Sequence, residues 1–179
     1  MTNLSRIDIR RTTISETAVD LRIMKIRKKQ SIISRDVFDF VIDGTDLTSL
    51  VRTDDGSIAD LTSGLQSNFV TSEKIIYIER LLGKKPGDLD SGRVAILVCP
   101  ECGDLQEGAV GCKIKFDLKM NTVTWYDFAW DFNDDEQDLS DEVRDKVQDL
   151  KSFTFDGEEY RALMKRILDS LNSDGFINL

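Results

Sequence analysis

Val94-Ala95-Ile96-Leu97-Val98 is an unbroken apolar run that stops at Cys99-Pro100-Glu101-Cys102-Gly103-Asp104. A short apolar run bounded by turn residues describes a buried strand. The sequence predicts that this strand ends at the two cysteines, turns through Gly103, and returns as a second strand near Val110. Neighbouring strands joined by so few residues pair antiparallel, because a parallel partner needs a crossover of a dozen residues or more.

The rest of the pattern agrees with that arrangement. Ile7, Ile9 and Arg11 step by two, as do Val19, Leu21 and Ile23, so the first forty residues read as strands with one wet face and a turn around Thr12–Glu16. Val37–Ile42 reads as a third strand, stopped by Asp43-Gly44. Asp46–Val51 suits a short helical piece, and Asp54-Asp55-Gly56 is a turn signal. A helix is expected from Ser72-Glu73 through Leu82, with Ile75, Ile76, Ile78, Leu81 and Leu82 at helical spacing and Gly83 as its stop. Gly108–Phe116 and Thr122–Phe128 form a hairpin, and Ser152–Phe155 a last strand. Glu158–Leu171 is an amphipathic helix whose Tyr160, Leu163, Met164, Ile167, Leu168 and Leu171 share one face, with Asp156 as its cap. Many strands with two main helices define an α+β fold: a mostly antiparallel sheet with both helices packed on one face, as a single domain over residues 1–179.

Composition limits the function classes. The 179 residues carry a net charge of −9 and contain three cysteines and no histidine. Without an imidazole there is no Ser-His-Asp or Cys-His arrangement, and Gly83-Lys84-Lys85 lacks the glycine that opens a phosphate-binding loop. Charge is segregated: residues 1–35 hold nine Lys/Arg against three Asp/Glu, whereas the remaining 144 hold fifteen against thirty. An acidic body repels nucleic acid, so none is expected as a partner. No apolar run approaches the ~20 residues of a membrane span. Met1–Arg6 has no apolar secretory core, and an odd cysteine count is unlike a secreted disulfide framework. The expected compartment is the cytoplasm.

Cys99 and Cys102 have the spacing of a zinc knuckle or a redox dithiol, with Cys112 as a third thiol. Zinc needs four ligands, and here the fourth would be Asp104, Glu107 or water. A redox pair needs a stabilised thiolate, which Asp104 and Glu107 oppose. Packing offers a third account, in which small apolar thiols close a core strand and Pro100 and Gly103 shape its turn.

The ordered series Arg93–Val98, Cys99-Pro100-Glu101-Cys102-Gly103-Asp104, Gly108-Ala109-Val110, Trp125-Tyr126-Asp127-Phe128-Ala129-Trp130, then Phe153-Thr154-Phe155-Asp156 with Tyr160 resembles a family of uncharacterised bacterial proteins over residues 80–170. That family tends to carry a further cysteine near position 107, where this chain has Glu107. That departure weakens a shared metal or redox role, and the oxidoreductase label often given to members is supported by no residue of this chain. In size and acidity the chain is also similar to immunity proteins of contact-dependent growth inhibition systems.

Asp131–Asp149 contains nine acidic residues against Arg144 and Lys146. As oxygen ligands, Asp131, Asp134, Asp135 and Glu136 suit a hard cation, although the run lacks the mid-loop glycine of an EF-hand. As a surface, the run suits a basic partner. In a regular strand Trp125 and Asp127 share one face while Tyr126, Phe128 and Trp130 share the other. The reading that follows is a non-enzymatic immunity protein that binds a basic toxin domain of nuclease type. It needs no cofactor. Asp131, Asp134, Asp135, Glu136, Asp138, Asp141 and Glu142 supply attraction, and Trp125 or Trp130 supplies an anchor. The competing reading is a thiol or zinc protein built on Cys99, Cys102 and Cys112.

Overall fold

The computed structural model describes residues 4–19, 30–51, 61–66, 68–106, 108–131, 147 and 149–174. These form an α+β fold, as expected, with the strands divided between two antiparallel sheets. β1 (Ile7–Val19), β2 (Gln30–Ile42) and β3 (Thr45–Asp46) make one sheet, and α1 (Leu47–Val51) follows directly. After α2 (Thr71–Leu81), the strands β4 (Val94–Leu97), β5 (Ala109–Asp117), β6 (Thr122–Asp131) and β7 (Phe153–Asp156) form the second sheet in chain order. α3 (Gly157–Asp174) closes the described chain.

The expected turn at Thr12–Glu16 is absent. β1 runs through it and pairs residue by residue with β2, from Ile7 opposite Ile42 to Val19 opposite Gln30. Thr12 and Thr13 are polar, exposed and β-branched, so they satisfy a strand outside the core as readily as a turn. Leu21, Ile23 and the Asp54-Asp55-Gly56 turn lie outside the described residues. Asp43 (φ 51°) and Gly44 (φ 85°) make the tight link to β3 in left-handed conformations, as that pair of residue types allows.

Two β-bulges decide which side chains enter the core. On β4, Ala95 faces Gly111 and Leu97 faces Val110, so Ile96 is an extra residue. Ile96 and Leu97 are both fully buried, with Ala95 and Val98 in a second, smaller cluster with Leu89 and Ala109. On β6, Gly111 faces Ala129 and Lys113 faces Tyr126, with Asp127 at φ 54°. The strict alternation expected for Trp125–Trp130 therefore fails. Trp125 and Phe128 both reach the main core, while Tyr126 is exposed.

The main core lies between the inner sheet residues and the apolar stripes of α2 and α3. Its centre is aromatic. Trp125 meets Phe40, Phe155 and Tyr160 edge-on at ring separations of 5.4, 5.5 and 6.2 Å. The Trp125 indole N–H donates to the Tyr160 hydroxyl at 3.1 Å, which donates to the Leu81 carbonyl at 2.9 Å. That carbonyl ends α2 and has no acceptor role inside the helix. α2 then stops in a Schellman turn, with Gly83 N–H bonded to Arg80 O and Lys84 N–H to Glu79 O. Asp156 caps α3 by accepting from the Glu158 and Glu159 N–H groups.

The two sheets meet at the N-terminal segment, where Ser5 N–H donates to Thr154 O beside β7 at 2.7 Å. At the opposite edge Thr62 exchanges two backbone hydrogen bonds with Val98. Each end of the second sheet thus carries one isolated bridge.

Asp39 on β2 accepts from the Thr48 N–H and hydroxyl at the start of α1, while its other oxygen is buried without a hydrogen-bond partner among the described residues. Burial pushes this carboxyl up to about 6. The fold holds the proton more tightly than the unfolded chain, whose carboxyl titrates near 3.9. This group therefore favours folding most below pH ~4 and loses that contribution as pH rises through ~6.

Two outcomes follow from this packing. Tyr160→Phe leaves the Trp125 N–H and the Leu81 carbonyl buried and unpaired, and should cost about 2–4 kcal/mol in urea unfolding; a cost under about 0.5 kcal/mol contradicts the shared hydroxyl. Asp39→Asn should remove about 2 kcal/mol of the stability difference between pH 4 and pH 7. An unchanged stability–pH curve contradicts a buried, proton-binding Asp39.

Candidate functional site

The turn after β4 is built as the sequence implies. Gly103 N–H closes onto Cys99 O at 3.0 Å with Gly103 at φ 66°. A Cβ there would lie 2.8 Å from the Phe69 ring, so this position needs glycine twice over. Asn68 donates to Pro100 O at 3.2 Å, and the Asp104 N–H points at the Cys102 sulfur at 3.4 Å. Asp104 also accepts from the Gln106 N–H. The chain re-enters the sheet at Ala109 after Gly108, whose missing side chain accommodates the Trp130 indole.

The three cysteines are not brought together. Cys102 is exposed, Cys99 half-buried and Cys112 buried. Cys112 faces Val94, five residues before Cys99 along β4, a separation of ~16 Å at strand rise. Burial pushes the Cys112 thiol far up, which keeps it protonated in the folded chain. Among the described residues no group of three or more Cys, Asp or Glu side chains is placed to hold a metal ion. A zinc site on Cys99, Cys102 and Cys112 does not fit this fold.

The acidic and aromatic candidates divide. Trp125 is fully buried and hydrogen-bonded, so it cannot anchor a partner; the β6 bulge and its bond to Tyr160 turn it inward. Trp130 is half-buried over Gly108. Asp131 accepts from Arg93 at 3.1 Å and from the Ser91 hydroxyl. Arg93 also grips the bulge, through Asp127 O at 2.8 Å and the Asp127 carboxylate at 3.0 Å. Lys113 reaches the same carboxylate at 3.0 Å. The Lys113 ammonium and then the Arg93 guanidinium hold the Asp127 carboxyl below its usual range. Asp131 is thus part of a neutralised cluster that fixes the β6 bulge. Asp134, Asp135, Glu136, Asp138, Asp141 and Glu142 lie outside the described residues.

Sequence reasoning missed a cleft of about 220 Å³ behind the Cys99–Gly103 turn. Phe69 and Tyr77 form aromatic walls, Arg80 and Asp88 form a 3.1 Å ion pair in the wall, and Glu73 and Cys102 complete the lining. Tyr77 stands against Gly64, where a Cβ would lie 2.9 Å from its ring, and its hydroxyl donates to Ile96 O at 3.0 Å. The 73, 77, 80 spacing on one helix face was the available signal, but residues 69, 88 and 102 join it only through tertiary packing. A larger groove of about 900 Å³ lies where residues 4–8 cross α3, and its Arg166 sits 3.8 Å from Asp8. Its charged lining is mixed, with Arg6 and Arg166 beside Asp8, Asp156 and Glu159.

No family model, curated protein or solved structure matches this chain.

Titration with an aromatic disulfide reagent at pH 8 should find two thiols in the native protein, Cys102 faster than Cys99. Cys112 should react only on unfolding. Three thiols reacting at one rate would contradict the burial of Cys112.

Proposed function

We propose that the chain is a non-enzymatic binding protein of the cytoplasm that neutralises a basic toxin domain, of nuclease type, by covering it with an acidic surface. The observation that carries this reading is charge segregation. Residues 36–179 hold thirty Asp/Glu against fifteen Lys/Arg. In the described body several of those cations are already committed: Arg80 to Asp88, Lys85 to Glu79, Arg93 to Asp127 and Asp131, and Lys113 to Asp127. Each pair uses a carboxylate as well as a cation, so the twofold acidic excess of residues 36–179 is what remains for a partner. A nuclease surface that accepts phosphates is basic, and complementary fields speed encounter and penalise wrong partners. The acidic run Asp134–Glu142 follows Asp131 in sequence with the same sign, and the role is that of immunity proteins of contact-dependent growth inhibition.

A second reading rests on the exposed turn that carries Cys99 and Cys102, whose spacing suits a dithiol couple. Cys112 has no part in it.

One experiment separates the two. The parent chain and a Cys99→Ser/Cys102→Ser double variant are each mixed with the basic nuclease encoded by the adjacent gene. The binding account predicts that both form a stable complex and suppress nuclease activity equally at one-to-one stoichiometry. Failure of the parent to bind removes the account, and failure of the double variant alone transfers support to the dithiol.

A further inference from the structure

We infer that the cleft behind the Cys99–Gly103 turn receives one cationic side chain, lysine or arginine, of a basic protein partner. The inference deepens the binding role proposed above and rests on it for the partner's chemistry, but the cleft's preference for a cation stands on its own geometry.

Three observations converge. The first is size: about 220 Å³ suits a single long side chain and not a folded element or a nucleotide. The second is charge. Arg80 is held by Asp88 at 3.1 Å, so the two formal charges offset, while Asp88 also accepts the Ala95 N–H at 2.9 Å and the Arg80 Nε–H is buried without a partner among the described residues. Glu73 lines the same cleft, is exposed, and has no ion pair or side-chain hydrogen bond among the described residues. The uncompensated charge of the lining is therefore negative. Glu101 and Asp104, which flank Cys102 in sequence, are also exposed and of the same sign.

The third observation is the wall material. Phe69 and Tyr77 line the cleft, and each ring lies close against a glycine, Gly103 and Gly64, where a Cβ would crowd it. Aromatic faces beside a carboxylate are a combination that favours a partly desolvated ammonium or guanidinium over a neutral or anionic group. The long aliphatic stem of lysine or arginine suits the apolar remainder, Ala95, Val98 and Leu105.

Cys102 makes the cleft measurable, because its exposed thiol lines the site. In a Cys99→Ser background, Cys102 is modified with a trimethylammonium-bearing or a sulfonate-bearing ethyl methanethiosulfonate of similar size. Both rates are normalised to those of a small free thiol. The cationic reagent should react about tenfold faster, from the attraction of the Glu73 carboxylate that lines the same cleft. Glu73→Gln should reduce that ratio several-fold, and Glu73→Lys should invert it. Millimolar N-acetylarginine amide should protect the thiol, and N-acetylleucine amide should not.

A normalised ratio of one or less in the Glu73 form, or no protection by the arginine amide, overturns the inference. The Glu73→Lys chain is then tested against the basic nuclease. Binding weakened by tenfold or more is expected. Unchanged binding overturns the cleft as the docking point while leaving the binding role intact. A cleft that passes the reagent tests while the parent chain captures no basic partner removes the binding role and leaves only the cation preference.

Discussion

The hydroxyl of Tyr160 is the junction on which this structure depends. It joins three elements that are distant in sequence: β6 through the Trp125 indole, α3 through its own backbone, and the end of α2 through the Leu81 carbonyl. Phe40 brings the other sheet onto the same indole ring. Two polar groups that burial would otherwise leave unsatisfied are thereby paired in the centre of an aromatic core. The fixed end of α2 places Gly83 and the Schellman turn, and the helix's preceding turns place Glu73, Tyr77 and Arg80 along the cleft.

Irregular strands do the remaining positioning. The β4 bulge lets Ile96 and Leu97 both serve the main core, while Ala95 and Val98 face the other way and floor the cleft. The β6 bulge carries Asp127 in a left-handed conformation, which for a non-glycine residue is costly. Arg93 and Lys113 hold its carboxylate, and Arg93 holds its carbonyl as well. The acidic residue nearest the proposed recognition run, Asp131, belongs to the same structural cluster. Paired charge thus fixes the sheet, and under the proposed role the acidic excess is left for recognition.

Much of the fold was legible in the sequence because its signals are local. Gly83 stops α2, Asp156 caps α3, Asp43-Gly44 turns the chain, and the apolar run at Val94 is a buried strand. The failures came where local signals are ambiguous or tertiary contacts override them. Threonine-rich Thr12–Glu16 has the composition of a turn and the stereochemistry of a strand, and long-range pairing with β2 decided it. Period-two reasoning misplaced Phe128 because no residue type marks the bulge at Asp127. The cysteine spacing was visible, but the register that sends Cys112 to the far end of β4 was not. The cleft was illegible, since Phe69, Glu73, Asp88 and Cys102 share no periodicity and meet only in the folded chain.

The central claim is recognition of a basic partner through an acidic surface, and the association rate tests it most directly. Stopped-flow measurement of complex formation with the basic nuclease, across ionic strengths from about 0.02 to 0.5 M, should show the rate constant falling by one to two orders of magnitude as screening shortens from ~20 to ~4 Å. The dissociation rate should change far less. A rate constant independent of salt would contradict electrostatic recognition.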